Sequence, residues 1–382
     1  MEKMKKCPVN EFCGGCQYQG VSYATQLEVK QKKEDDLLKG FHSVENIIGM
    51  EEPLHYRNKI QISFAYDEKR NTISGYYIPS SHMIVPVDEC MLCDEKLNEI
   101  YRSVRKVLKK YRVSVFDERS MKGCIRHLLI RSSNLNEYML VLVTGSQSIY
   151  NHEQIVKEII RYNPEIKTVI LNINNRHTSA ILSSRNQVLY GKGNITDELC
   201  GLKFRISANS FYQVNKRQTE ILYNTAIKLC DLDENDVLID AYCGIGTIGI
   251  IASRFVKKVI GVESNESAIK DALINKKINN IENIDFVLDD AERYMDYLSR
   301  HNTRIDAVIM DPPRSGSDIR FMSSMVKMQP RKVVYISCNP VSLADDLRYL
   351  SRYYRVEMIQ PVDMFPYTQH VETVVLMSRV KD

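Results

Sequence analysis

Residues 237–249 read VLIDAYCGIGTIG and place a glycine-rich turn directly after a short apolar run. The run has the composition of a buried strand, and the turn opens the helix-like stretch IGIIASRF. Gly244, Gly246 and Gly249 have the spacing G-x-G-x-x-G, which lets backbone approach a ligand at the carboxyl end of a first strand. The segment therefore predicts the ligand-binding turn of a doubly wound α/β domain.

The hydrophobic pattern changes on the two sides of about residue 205. After residue 216, short β-branched runs such as KKVIGVE and VVYIS alternate with helical stretches of about a dozen residues, which predicts βαβ units and a parallel sheet. Before residue 205, the stretches 57–87 and 124–145 alternate apolar and polar positions around turn signals, which predicts antiparallel hairpins. We expect an α/β protein with a Rossmann-like C-terminal domain and an α+β central domain.

Composition excludes several classes of protein. The chain has 382 residues, of which 44% are hydrophobic and 26% charged, as in a globular protein. It has no apolar run long enough to span a bilayer and no signal-peptide pattern, so we expect a cytoplasmic protein without membrane contact. We also expect a monomer. Ten cysteines in a reducing compartment predict core residues, metal ligands or a catalyst instead of disulfides.

The net charge of +4 lies entirely in the first 200 residues, which carry 28 basic and 24 acidic side chains. Residues 101–131 hold ten of these basic groups, and Ile100, Val104, Val107 and Leu108 fall at helical spacing among them. The pattern predicts an amphipathic helix with a basic outer face. Such a face is either a solvated surface or a contact for phosphates.

Acidic residues follow the later strands of the C-terminal pattern. Glu263 ends the second strand, where a carboxylate accepts hydrogen bonds from ribose hydroxyls in both NAD and S-adenosylmethionine sites. Asp290 follows the third strand, and Asp311 begins a D-P-P-R tetrad after the fourth. The tetrad favours S-adenosylmethionine and transfer to a planar acceptor, because the prolines remove donors and fix the carbonyls towards a crevice.

Cys338 comes at the end of the next strand, in the sequence SCNP. A thiolate at this edge could add to C6 of a pyrimidine and turn C5 into a carbon nucleophile for a sulfonium methyl group. The C5 proton must then be removed, and Glu372 is the candidate base.

The motifs SFYQVN, DAYCGIGT, DPPR, SCNP and DMFPYTQHVE, in this order, resemble those of the RNA 5-methyluridine methyltransferases. The resemblance covers nearly the whole chain. It implies that Gln213, Tyr242, Glu263 and Asp311 contact S-adenosylmethionine, with Asp290 near the adenine. It also implies that Cys338 is the nucleophile and Glu372 the base.

The sequence departs from the family at two of these motifs. Ala241 stands where Leu is more usual, and Tyr367 replaces a frequent His.

The amino terminus contains Cys7, Cys13 and Cys16, which are three soft metal ligands within ten residues. Either Cys90 or Cys93 could supply a fourth, and tetrahedral zinc is the general interpretation of such a set. The early C-x5-C-x2-C and a later Cys before a Leu-Asn pair resemble the ribosomal-RNA branch of the family, which implies a [4Fe-4S] cluster on Cys7, Cys13, Cys16 and Cys90.

The same resemblance implies a domain order and a substrate. We expect an iron–sulfur segment at 1–16, a helical linker at 17–50, a central RNA-binding domain at 51–205 and a methyltransferase domain at 206–382. Only six residues precede Cys7, so the family's small RNA-binding barrel is expected to be absent. RNA contacts are then expected from the basic helix at 101–112 and from Arg57, Arg126 and Arg131, with Phe211 or Tyr242 lining the pocket for the target base.

The predicted activity is methylation of uridine C5 in 23S ribosomal RNA through a covalent Cys338–C6 adduct. Three alternatives remain at this point: a transfer-RNA uracil-C5 methyltransferase, a non-catalytic metal-stabilised RNA-binding protein, and an NAD-dependent oxidoreductase with a ferredoxin-like cluster. The oxidoreductase leaves DPPR and SCNP without a purpose.

Overall fold

The computed structural model describes residues 7–380. These residues form two compact units. The N-terminal unit comprises residues 7–20, 52–198 and 205–209, and the C-terminal unit comprises residues 21–51, 199–204 and 210–380. Within the described part of the chain, no helix is long and apolar enough to cross a membrane.

The first half of the chain contains, in order, α1 (Tyr23–Leu38), β1 (Lys59–Tyr66), β2 (Thr72–Tyr77), β3 (Ile84–Pro86), α2 (Glu95–Lys110), β4 (Ile125–Ser132), β5 (Tyr138–Thr144), α3 (His152–Tyr162), β6 (Ile166–Ile173), β7 (Asn186–Gly191), β8 (Asn194–Leu199) and β9 (Leu202–Ser207). The second half contains α4 (Lys216–Cys230), β10 (Val237–Ala241), α5 (Thr247–Ala252), β11 (Lys258–Glu263), α6 (Glu266–Ile278), β12 (Ile284–Leu288), α7 (Ala291–Arg300), β13 (Ala307–Met310), α8 (Ile319–Met328), β14 (Lys332–Ser337), α9 (Pro340–Leu350), β15 (Tyr354–Val362) and β16 (Glu372–Arg379).

The N-terminal unit is built on a seven-stranded sheet in the order β3-β2-β1-β4-β5-β6-β7. The predicted hairpins β1–β2 and β4–β5 are antiparallel, whereas β5 and β6 run parallel because α3 connects them. Helix α2 buries Ile100, Val104, Val107 and Leu108 in a core with the sheet residues, as their spacing predicted. Its other face carries the basic side chains.

Two arginines that the sequence suggested as RNA contacts lie inside the N-terminal unit, so that expectation was wrong for them. Arg126 and Arg131 are only 4% and 2% exposed. The guanidinium of Arg126 donates to the carbonyl oxygen of Asn174 at 2.6 Å and pairs with Glu118 at 2.7 Å. At these exposures neither guanidinium lies on the surface where a phosphate could reach it.

The C-terminal unit is a doubly wound sheet in the order β12-β11-β10-β13-β14-β16-β15. Strands β10 to β14 are parallel, as predicted, and β16 is antiparallel to both β14 and β15. The order reverses between β10 and β13, so the crevice for a ligand lies at the carboxyl ends of these strands. The register pairs Ser337 with Thr373, which brings the end of β14 beside the start of β16.

Helix α1 belongs to the C-terminal unit, although the sequence suggested a linker over residues 17–50. Its Lys30 ammonium pairs with the Asp363 carboxylate at 2.6 Å, and neither side chain is exposed to solvent. The Tyr23 hydroxyl donates to the other carboxylate oxygen at 2.8 Å. These contacts fasten α1 to the segment between β15 and β16.

We expect Lys30→Met to lower the free energy of unfolding by about 3–5 kcal/mol, because it leaves the buried Asp363 charge without its cation. Lys39→Met removes an exposed pair with Asp36 on the same helix and should change the stability by about 1 kcal/mol or less. Chemical denaturation of the two variants measures the difference. Equal stabilities would show that the buried pair does not hold α1 in place.

Candidate active site and cysteine cluster

The turn after β10 is held in a left-handed backbone conformation. Tyr242, Gly244 and Gly246 have φ angles of 65°, 56° and 82°, and such angles are unfavourable for a residue with a side chain. The Tyr242 ring packs against Phe321 with 5.6 Å between ring centroids, which holds the strained residue in place. The turn thereby lies at the carboxyl edge of the sheet, directly after β10.

Two carboxylates fix the conformation of this turn. Asp240, at 1% exposure, accepts from the amide of Gly249 at 2.7 Å. Glu263 accepts from the amide of Gly244 at 3.0 Å with one oxygen and from that of Asn265 at 2.7 Å with the other. The glycine turn and the acid at the end of β11 are therefore one hydrogen-bonded structure, as the sequence spacing suggested.

A small cavity opens on this turn. It is lined by Gln213, Tyr242, Gly244 and Asp311, together with the aromatic residues Phe211, Tyr212 and Tyr223. It thus brings together three of the five residues expected to contact the methyl donor. Glu263 reaches it through the Gly244 amide, whereas the exposed Asp290 begins α7 beyond the end of β12.

The DPPR and SCNP loops are joined by hydrogen bonds. The Asn339 side-chain amide donates to the carbonyl oxygen of Arg314 at 2.9 Å, and the Ser342 hydroxyl donates to the same oxygen at 3.2 Å. Asn339 also caps α9 by accepting from the amide of Val341 at 3.2 Å. These bonds fix the position of Cys338 relative to the end of β13.

The Cys338 thiol lies in the field of three charged groups. Burial raises its pKa to about 11, and the negative charges of Glu372 and Asp311 act in the same direction. The positive charge of Arg314 and a hydrogen bond from its side chain oppose this rise. The nucleophile and the base that the sequence suggested are therefore electrostatic neighbours.

The two carboxyl groups of this cluster favour their protonated forms. Burial raises the pKa of Asp311 to about 7. Burial, and then the charge of Asp311, raise the pKa of Glu372 well above its ordinary value, while Arg314 lowers it. Like charges in a desolvated site cannot all ionise together.

Sequence reasoning missed three residues of the site. Arg314 was quoted within its motif but given no role, and Asp240 was read only as part of a strand. Tyr223 of α4 faces Asp311, whose charge together with burial raises the pKa of the phenol. It lies in the apolar stripe of a helix, and the sequence carries no signal that separates it from other core residues.

The fold and this site together define a class of protein, the methyltransferases that use S-adenosylmethionine. The chain matches the model of the tRNA (Uracil-5-)-methyltransferase family over residues 22–380 and belongs to this family of S-adenosylmethionine-dependent RNA methyltransferases.

Relatives are similar along almost the whole chain. A protein of Caldanaerobacter subterraneus subsp. tengcongensis is 42% identical over 381 residues, which cover 98% of this chain and 84% of the relative. A protein of Clostridium tetani is 38% identical over 382 residues, covering 98% and 83%. Both are named only as RNA methyltransferases.

A solved structure supports the same family. The Pyrococcus abyssi tRNA (uracil-54, C5)-methyltransferase, in complex with S-adenosyl-L-homocysteine, has a TM-score of 0.80 and 26% identity. The match covers 98% of this chain and 87% of that chain. The expected fold class is confirmed by this similarity.

A second cavity lies in the N-terminal unit. It has a volume of about 430 Å³ and is lined by Cys7, Cys13, Cys16 and Cys90, with Arg57 on its wall. Gly14 approaches Pro79 so closely that a Cβ atom would lie 2.4 Å from the ring, which explains the glycine between the second and third cysteines. Arg57 was suggested as an RNA contact, and the structure places it against the cysteines instead.

The thiols of this cavity influence one another. Burial raises the pKa of Cys16 to about 11, and the negative charges of Cys90 and Cys13 add to the rise. A hydrogen bond from Cys93 lowers the pKa of Cys90 to about 6, while Cys93 itself is 2% exposed and does not line the cavity. Among residues 7–380, no three His, Cys, Asp or Glu side chains lie close enough together to hold a metal ion.

Proposed function

We propose that this enzyme methylates C5 of a uridine in 23S ribosomal RNA, with Cys338 as the nucleophile and Glu372 as the base. The observation that carries the proposal is the pairing of Ser337 with Thr373, which brings Cys338 and Glu372 to the same edge of the sheet, where their charges interact. Carbon methylation of uracil needs both groups, because C5 alone is too weak a nucleophile and its proton must later leave.

The reaction begins at the thiol. The Cys338 sulfur, as a thiolate, forms a bond to C6, and the C5–C6 double-bond electrons become an enolate on the base. C5 then takes the methyl group, and the sulfonium sulfur keeps the electron pair of the broken bond. Glu372 removes the C5 proton, the double bond re-forms, and the C6–sulfur bond breaks to release the thiolate.

The charges of the site suit this order of steps. Arg314 supports the thiolate against the burial that raises its pKa. Once the sulfur is bound to C6 and the methyl group has been transferred, Cys338 no longer carries a negative charge beside Glu372, and Asp311 is the remaining group whose charge opposes ionisation of the base. The base therefore ionises more readily at the step that requires it.

The residues around the glycine turn fit the methyl donor, S-adenosylmethionine, which supplies the electrophilic methyl group. We propose that Glu263 binds the ribose hydroxyls, because its carboxylate oxygens keep free lone pairs beyond the two amide bonds. Gln213, Tyr242 and Asp311 line the small cavity beside this turn, where they would contact another part of the molecule. Asp290 has the least support, since it is exposed and lies beyond this cavity.

Glu372→Gln should trap a covalent protein–RNA adduct that survives denaturing gels, because the C5 proton cannot be removed and elimination stalls. Cys338→Ala should abolish methyl transfer while leaving binding of S-adenosylmethionine unchanged. Labelled total RNA from a strain without the gene provides the substrate. The double variant is the control and should give no adduct; an adduct that persists without Cys338 would refute the mechanism.

The ribosomal substrate is supported by the cysteine pattern, which resembles the ribosomal-RNA branch of the family. Transfer RNA is the second candidate, because the family description and the Pyrococcus abyssi enzyme both refer to it. On the N-terminal unit, the exposed Lys106 and Lys109 of α2 are the best phosphate contacts, because Arg102 and Arg105 are paired with Glu89 and Asp88.

Deleting the gene should remove 5-methyluridine from 23S ribosomal RNA and leave the transfer RNA unchanged. Mass mapping of both RNA fractions checks this, and restoration by the wild-type gene but not by Cys338→Ala ties the loss to catalysis. Loss of the modification from transfer RNA alone would contradict the proposal and establish the second candidate.

We also propose a [4Fe-4S] cluster on Cys7, Cys13, Cys16 and Cys90. Four thiols around one cavity fit its ligand set, and the lowered pKa of Cys90 suits a thiolate ligand. The cavity that these thiols line has a volume of about 430 Å³, which is room for a group larger than a single zinc ion.

Anaerobically purified protein should therefore absorb near about 400 nm and contain about four irons per chain. Cys90→Ser should lose most of the iron and the absorbance, whereas Cys93→Ser, outside the cavity wall, should keep both. The opposite pattern would make Cys93 the fourth ligand, and a colourless protein with one bound zinc would exclude the cluster.

A further inference from the structure

Helix α1 buries a stripe of polar side chains. Gln26, Lys30 and Glu34 are spaced four residues apart and each is 0% exposed. Residues of these types are almost never fully buried unless they are paired. The stripe therefore has partners inside the C-terminal unit.

The partners of Gln26 and Lys30 lie in the segment that leads to Glu372. The amide of Tyr367 donates to the Gln26 side-chain oxygen at 2.9 Å. Lys30 donates to the Asp363 carboxylate at 2.6 Å and to the carbonyl oxygen of Phe365 at 3.1 Å. Residues 363–367 are thus held by α1 at both the side-chain and the backbone level.

Glu34 holds the end of this segment. One of its carboxylate oxygens accepts from the Thr373 hydroxyl at 2.8 Å, directly after Glu372. Its other oxygen is buried and, among residues 7–380, has no hydrogen-bond partner. Its charge also reaches Glu372 and raises the pKa of that residue.

We propose that Glu34 is a positioning residue for the proton-abstraction step, acting on Glu372 through the Thr373 hydroxyl and through its own charge. The inference rests on the proposed function, in which Glu372 is the base. The hydroxyl contact fixes the start of β16, and with it the direction of the Glu372 carboxylate. The charge sets how readily that carboxylate gains and loses its proton.

Other ionisable groups also act on Glu34 and Glu372, and a test must leave these groups unchanged. Asp311 and Arg314 act on Glu372 from the loop after β13, Cys338 lies in its field after β14, and Tyr223 faces it from α4. Beside Glu34, the neighbours on α1 are Lys33 and Asp35. Burial raises the pKa of Glu34 to about 7, so it carries charge on the alkaline side of neutrality.

The two contributions can be separated by substitution. Glu34→Gln keeps the volume and an oxygen for the Thr373 hydroxyl but removes the charge. We expect the acidic limb of the elimination rate to move to lower pH, because the Glu372 pKa falls when a nearby negative charge is lost. Thr373→Val removes the hydroxyl contact and should slow elimination about tenfold or more without moving the limb, while Thr373→Ser should restore it.

Single-turnover reactions with labelled total RNA follow the covalent adduct and the methylated product across pH. Lys32→Gln, on the exposed side of α1, is the control and should behave as wild type. Binding of S-adenosylmethionine and the melting temperature report whether each variant is folded. If Glu34→Gln does not fold, the Thr373 pair still decides the hydroxyl contact.

The proposal fails if Thr373→Val eliminates at the wild-type rate, or if folded Glu34→Gln leaves the limb where it is. Glu372→Gln in the same assay separates this failure from the failure of the proposed function. An adduct in Glu372→Gln with normal Thr373→Val overturns only the role of Glu34. No adduct in Glu372→Gln overturns Glu372 as the base.

Discussion

The exclusion of water from the carboxyl edge of the C-terminal sheet is the constraint on which the rest of the site depends. Asp240, Asp311 and Glu372 end or begin strands there, and burial raises the pKa of all three. A desolvated edge strengthens every electrostatic interaction and allows few charges at once. The loops use backbone amides, side-chain amides and one arginine to hold these groups.

The glycine turn and the segment before Glu372 are both held in position by buried charged groups. At one end, Glu263 and Asp240 hold the turn by accepting from its amides, so the methyl donor meets a preorganised backbone. At the other end, Lys30 neutralises Asp363 and anchors the segment before the proposed base. In both places the hydrogen-bond partners of a charged group are fixed before the reaction. The site therefore does not have to rearrange when charge develops.

The sequence predicts most of the fold and much of the site because its signals are local. Strand and helix periods located β10 to β14 and the helices between them, and the carboxyl-edge rule placed Glu263, Asp311 and Cys338 together. The sequence did not predict the buried stripe of α1, because Gln26, Lys30 and Glu34 have the composition and spacing of a solvent-facing surface. The burial of Arg126 and Arg131 was not predicted either. Arg126, for example, depends on partners such as Glu118 and Asn174, which no local pattern identifies.

The pairing of Ser337 with Thr373 has a consequence for how this site can change in evolution. Because β14 and β16 are antiparallel, the thiol after one strand and the carboxyl at the start of the other are separated by a strand spacing and not by the 33 residues between them in the chain. Loops and helices within that stretch can lengthen or shorten while the ladder keeps the distance. A slip of one residue in the ladder, in contrast, turns Glu372 to the opposite face of the sheet. The pairing register of the two strands, more than the length of the chain between them, therefore determines the distance between the Cys338 thiol and the Glu372 carboxyl group.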